Sequence, residues 1–199
     1  MLGLYNYRTM EAKARQIISQ HCPECMYKMS AVPIEWLAEK AFGLSIDYQH
    51  LTKNGERVLG KLICTDGLTP YYDMELQQYA FLQVYAKTIL VEVRLLENVH
   101  NGRCRFSVAH ELAHWILHRE MIVQSNHEAA LDESINDVKM EQQADYLASA
   151  LLMPLGAVKR YFHSLFGKYS GDALICEMAE HYGVSRQAME IRLKSHNLI

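Results

Sequence analysis

Between Phe106 and Leu117 the chain is apolar at Phe106, Val108, Ala109, Leu112, Ala113, Ile116 and Leu117, yet it carries His110-Glu111-Leu112-Ala113-His114 in the middle. No other stretch constrains the fold as much. The apolar spacing predicts a buried helix. Placing two imidazoles and a carboxylate in such a helix is costly unless they are paired or bound to metal. Histidines four apart lie on one helical face, about one turn and ~6 Å of rise apart. Their rings can therefore converge on one ion, and nitrogen ligands at ~2.0–2.1 Å suit zinc. Glu111 is offset around the helix, where it can reach a water beside the ion without ligating it.

A catalytic zinc needs a third protein ligand and an open position. Downstream, Glu141-Gln142-Gln143-Ala144-Asp145 opens a second apolar stretch that runs to Met153 and stops at Pro154. Glu141 and Asp145 are again four apart. One can meet the metal while the other accepts a hydrogen bond from a ligating histidine and orients its ring. The polar stretch from Gln124 to Asp137 lets the chain turn back. His118 is a weaker ligand, because eight residues of helix separate it from His110 by ~12 Å of rise; it is expected beside the site or at the surface. Glu120, His127, Glu128, Asp132 and Glu133 are not excluded by spacing, but none has the paired-acid, apolar-helix setting of Glu141, which is favoured as the third ligand.

The rest of the chain supplies an α+β frame. Met10 to Gln20 has helical apolar spacing (Met10, Ala14, Ile17, Ile18), and Pro33 opens a helix that ends at Gly43. Leu44 to Tyr48, Val58 to Cys64 and Thr88 to Val93 read as strands, with a turn signal at Asn54-Gly55. Tyr71 to Lys87 suits either a strand or a helix. After a break at Asn98 to Gly102 the chain is expected to be helical nearly to its end. Strands first and helices afterwards predict a small N-terminal mixed sheet with helices, then a helical half carrying both motif helices. At 199 residues this is expected to be one metallopeptidase domain over 1–155 with a C-terminal helical segment, 156–199, packed on it.

Composition narrows the partners. Half of the residues are apolar and the net charge is −3, so no bulk basic excess points to nucleic acid or anionic membrane. The first twenty residues carry Arg8, Glu11, Lys13 and Arg15, unlike a signal peptide. Five cysteines, an odd number, fit a reducing compartment, so a cytoplasmic protein is expected. Cys22-Pro-Glu-Cys25 has no second Cys pair to complete a zinc ribbon and is read as a loop with two free thiols. Near the C-terminus, Met178 to Met189 reads as helix, Gly-Val turn, then a helix capped by Ser185, half of a helix-turn-helix. Gly171 to Ile199 nevertheless holds four acidic residues against three basic ones, a net of −1. That balance disfavours direct nucleic-acid binding and favours packing or partner contact.

The two motif stretches, Arg105-Phe-Ser-Val-Ala-His-Glu-Leu-Ala-His114 and Glu141-Gln-Gln-Ala-Asp-Tyr-Leu-Ala-Ser-Ala-Leu-Leu-Met-Pro154, closely resemble the ImmA/IrrE family of metallopeptidases. The resemblance covers roughly residues 30 to 195 in outline and is sharp over these two stretches. It implies zinc on His110, His114 and Glu141, Glu111 as general base, and Asp145 orienting a ligand. It also implies a protein substrate, often a repressor of the helix-turn-helix type. Ala113 stands where that family often has glycine, which a helix accepts. Stabilising the oxyanion needs a further donor, for which His127, Tyr161 and His163 qualify by residue type. The competing reading is a regulatory metal-binding protein that acts by protein or DNA contact without proteolysis. An intact Glu111 counts against it, since a structural metal site has no use for a base.

Overall fold

The computed structural model describes residues 6–54, 58–97, 102–125 and 133–199. Helix α1 (Tyr7–His21) begins where the Asn6 side chain accepts the Thr9 N–H, and it buries Met10, Ala14, Ile17 and Ile18. Cys22 and Cys25 are buried free thiols, but they do not lie in a loop. Cys22 ends α1, and Cys25 belongs to the short helix α2 (Glu24–Tyr27). Burial pushes the Cys22 thiol up to about 12, the opposite of what a reactive thiolate requires. The helix announced by Pro33 is α3 (Ile34–Trp36), which widens into a π turn over Leu37–Ala41.

Five strands follow: β1 (Ser45–Gln49), β2 (Gly60–Ile63), β3 (Gly67–Asp73), β4 (Gln78–Val84) and β5 (Thr88–Glu92). β1, β5 and β2 form a mixed sheet in that order, with β1 parallel and β2 antiparallel to β5. The strands on either side of the Asn54-Gly55 turn signal therefore do not pair with each other. Gly55 itself lies outside the described residues. β5 is central because Ile89, Leu90 and Val91 are all buried, the continuous apolar run of a strand covered on both faces. The ambiguous tyrosine-rich stretch resolves as the β3–β4 hairpin. Asp73 reverses the chain there, its Oδ1 accepting the N–H groups of Glu75 and Leu76 at 2.9 Å each.

A 3-10 turn at Val93–Glu97 leads towards the helical half. Residues 98–101 of the expected break lie outside the described residues. The helices are α4 (Gly102–Ser125), α5 (Glu133–Leu152), α6 (Leu155–Ser164), α7 (Gly171–Tyr182) and α8 (Arg186–Ser195). The architecture is α+β, with a small mixed sheet followed by a helical half. α4 packs on β2 and β5 and against α5. The core includes fully buried Leu112 of α4 with Leu147 and Leu151 of α5, and each such side chain contributes roughly 1.5–3 kcal/mol. α5 begins eight residues before Glu141, which places that acid within the helix rather than at its start.

The C-terminal turn forms as its sequence suggests. Gly183 takes φ 60°, the left-handed conformation that ends α7, and the Ser185 side chain caps α8 by accepting the Ala188 N–H. Arg105, from the α4 motif, ties this turn to the N-terminal half. Its Nε donates to the Gly183 carbonyl at 3.1 Å and its Nη2 to the Val32 carbonyl at 2.7 Å. Arg192 of α8 is buried and donates to the Met153 carbonyl and to Glu11 of α1. Among the described residues, no helix is long and apolar enough to cross a membrane.

Candidate metal centre

His110 and His114 lie one turn apart on α4, and α5 brings Glu141 against both. The two Nε2 atoms are 3.0 Å apart. Glu141 Oε2 stands 3.1 Å from His110 Nε2, and its Oε1 stands 3.3 Å from His114 Nε2. Among the described residues these three form a group able to hold a metal ion. On its other side, His110 Nδ1 is 2.9 Å from Asp145 Oδ1. A carboxylate accepts and does not donate, so Nδ1 of His110 carries the proton, and in the neutral ring Nε2 is bare. When His114 Nε2 is bare as well, nitrogen lone pairs and carboxylate oxygens converge with no proton between them. Such a set repels itself unless a cation sits in its midst. Tetrahedral ligands ~2.0–2.1 Å from a zinc lie about 3.3 Å from one another, close to the spacings seen here. The residues fit the ion.

Burial alone would lower the His110 pKa, but the hydrogen bond to Asp145 and the carboxylates of Glu111, Asp145 and Glu141 outweigh it, and the net shift is upward, as a ring among carboxylates with no cation beside it requires. Burial, with His110 and His118 as neighbours, pushes His114 down to about 3, so its ring is neutral. His118, one turn beyond His114, is not a surface residue. It is buried, with its Nδ1 3.2 Å from His114 Nδ1 and its Nε2 3.0 Å from Gln143 Oε1.

The Glu111 side chain lies against β2 of the sheet, at Gly60. Burial raises its carboxyl to about 7, partly opposed by His110, with Glu141 adding to the rise and the Leu62 N–H lowering it. β2 is an edge strand that runs along the carboxylate. At Gly60 a Cβ would come within 2.8 Å of Glu111 Oε1, so the close approach requires glycine there. His110, Glu111, His114 and Glu141 open with β2 onto a cleft of about 500 Å³ that Phe106 and Ser107 also line.

The oxyanion donors suggested by residue type fare differently. Tyr161 stacks on His181 and donates to Glu177 at 3.0 Å, and His163 is exposed on α6; neither lines the cleft. His127, Glu128 and Asp132 lie outside the described residues, as does the Glu133 side chain. Sequence reasoning missed Gly60, Leu62 and the His118–Gln143 contact. The first two reach Glu111 from a strand about fifty residues earlier, and no local pattern records that.

A fold of this kind, with two helices presenting such a group, belongs to a metallopeptidase-family protein. The family model Peptidase M78, described as an IrrE N-terminal-like domain, matches residues 91–194. That is just over half of the chain, which therefore belongs to this ImmA/IrrE family. Among solved structures, a Mycobacterium tuberculosis transcriptional regulator is similar in fold, with a TM-score of 0.54 at 15% identity. The match covers 94% of this chain and 46% of that one, so the chain spans about half the length of that protein. No curated protein matches the chain.

Proposed function

We propose that this chain is a zinc-dependent metalloendopeptidase that cleaves a specific protein, a transcriptional repressor of the helix-turn-helix type, in the cytoplasm. His110, His114 and Glu141 would hold the zinc, Asp145 would orient His110, and Glu111 would be the general base. The repressor follows from the family resemblance. The chemistry is carried by one observation: a buried carboxyl with no ligand role, raised to about 7, opens onto the same cleft as three convergent metal ligands.

A bound zinc supplies Lewis acidity, polarising a carbonyl and acidifying a water. Glu111 takes the proton of the attacking water onto its carboxylate and passes it to the leaving amine; a pKa near neutrality suits both transfers. Asp145 holds the Nδ1 proton of His110 so that Nε2 stays turned to the site. β2, at the sheet edge, lends the cleft wall the backbone groups along which an extended peptide can lie. A non-proteolytic regulator would have no use for such a base.

The test is to incubate the zinc-loaded protein and its Glu111→Gln variant with a purified helix-turn-helix repressor and with unrelated proteins, reading cleavage by mass spectrometry. Cleavage of the repressor at one bond by the wild type, and equal zinc content without cleavage in the variant, is the expected result. A variant that cuts as fast as the wild type would overturn the assignment of Glu111. Cleavage confined to the unrelated proteins would overturn the repressor as substrate.

A further inference from the structure

The cluster around the metal ligands extends one turn further along α4 than a three-ligand site needs. His118 is buried, and among the described residues its two ring nitrogens have one polar neighbour each, His114 Nδ1 at 3.2 Å and Gln143 Oε1 at 3.0 Å. Two imidazole nitrogens at that separation share one proton, and the question is which ring owns it.

Gln143 decides. Its Oε1 is a carbonyl oxygen, which accepts and cannot donate. With Gln143 Oε1 turned to the ring, as here, the proton on that side belongs to His118 Nε2. A neutral His118 then has a bare Nδ1, which can only accept. The shared proton consequently sits on His114 Nδ1, and His114 Nε2 is left as a lone pair facing His110 Nε2 and Glu141. On the other ligand, Asp145 fixes His110 in the same sense through its Nδ1 at 2.9 Å.

We propose that His118 and Gln143 are positioning residues that lock His114 in the tautomer with Nε2 bare, so that both imidazoles are set for a cation before it arrives. The inference deepens the metallopeptidase reading and rests on it for the identity of the ligands. α4 and α5 each contribute to both locks. α4 supplies the two ligands and His118, and α5 supplies Asp145 and Gln143, so docking the helices sets the protons as well as the positions. Without the lock, His114 could rotate its proton to Nε2 and donate to Glu141, and the ion would then have to displace it.

The test uses the full chain in two measurements. Long-range ¹H–¹⁵N correlation on the metal-free, ¹⁵N-histidine-labelled protein at pH 8 reads the tautomer directly. The wild type is expected to carry the His114 proton on Nδ1, and Gln143→Met is expected to shift it towards a mixture. Zinc affinity, read by competition with a chromophoric chelator, is expected to fall about 10–100-fold in His118→Leu. His118→Asn, which can return an acceptor oxygen towards His114, recovers most of that loss, as a merely space-filling role would not. A His114 proton on Nε2 in the metal-free wild type, or wild-type zinc affinity in His118→Leu, overturns the proposal. A wild type with the stated tautomer and affinities that cleaves no protein sinks the peptidase reading and leaves this one standing.

Discussion

Replacing Glu111 by Gln should stabilise the metal-free protein above neutral pH while abolishing its activity. Glu111 is 8% exposed, and burial, the largest influence on its carboxyl, raises the pKa from 4.5 to about 7. A raised carboxyl means that the fold prefers the protonated form. The carboxyl's contribution to stability is therefore fully present below pH 4.5 and is lost as the pH rises through about 7, because the folded protein must ionise a group that the unfolded chain ionises freely. At ~1.36 kcal/mol per pKa unit, the rise is worth about 3 kcal/mol, lost in full by about pH 8. The amide of the Glu111→Gln variant could still accept the Leu62 N–H but would not ionise, so the variant would lose none of this. Urea unfolding of both metal-free proteins at about pH 5 and about pH 8 is the assay. The wild type should lose about 2–3 kcal/mol more than the variant between the two, less what the variant gains because His110 no longer has Glu111 as a charge partner. Added zinc should shrink the difference, since a nearby cation favours the carboxylate. Equal pH dependence in the two metal-free proteins would refute the claim that burial poises this group.

Glu141→Ala should weaken zinc binding most, and Asp145→Asn should cost about 10–100-fold, both read by chelator competition; an unaffected Glu141→Ala would mean another acid takes its place. Gly60→Ala should leave the melting temperature nearly unchanged, because the added Cβ meets the far end of the Glu111 side chain, yet it should cut kcat by moving the base; the check is kcat beside a thermal melt. Arg192→Met leaves Glu11 without its buried partner, and thermal or urea unfolding should show a loss of about 3–5 kcal/mol.

What the sequence reveals of this protein is whatever lies within a turn or two of helix. His110 and His114 are four apart, so their convergence follows from helical geometry alone, and the same spacing made Glu141 and Asp145 a pair. The rise along α4 also argued against His118 as a ligand, and its ring lies beside the site, 3.2 Å from His114 Nδ1. Its actual partner could not be read, because Gln143 sits beside Gln142 with nothing local to tell them apart. Strand pairing was the harder part. Leu44 to Tyr48 and Val58 to Cys64 were legible as strands, but their shared attachment to β5 depends on which strand is most apolar across the whole sheet. Tyr71 to Lys87 had no period to read, and Asp73, a turn residue in its midst, was the available cue.

The same limit explains why the proposed base was easier to name than to understand. Glu111 is singled out by its place between two histidines, yet what surrounds its carboxylate is β2, an edge strand that comes this close only because residue 60 lacks a side chain. Helix α4 therefore supplies the functional groups and the sheet supplies their environment. Fully buried alanines on both motif helices, Ala109 and Ala113 on α4 and Ala144 and Ala148 on α5, take little room where the helices pack, and Glu141 reaches to 3.3 Å from His114. Ala113, where related sequences often have glycine, meets the same need for a small residue. A larger one there would separate the ligands before it destabilised the core.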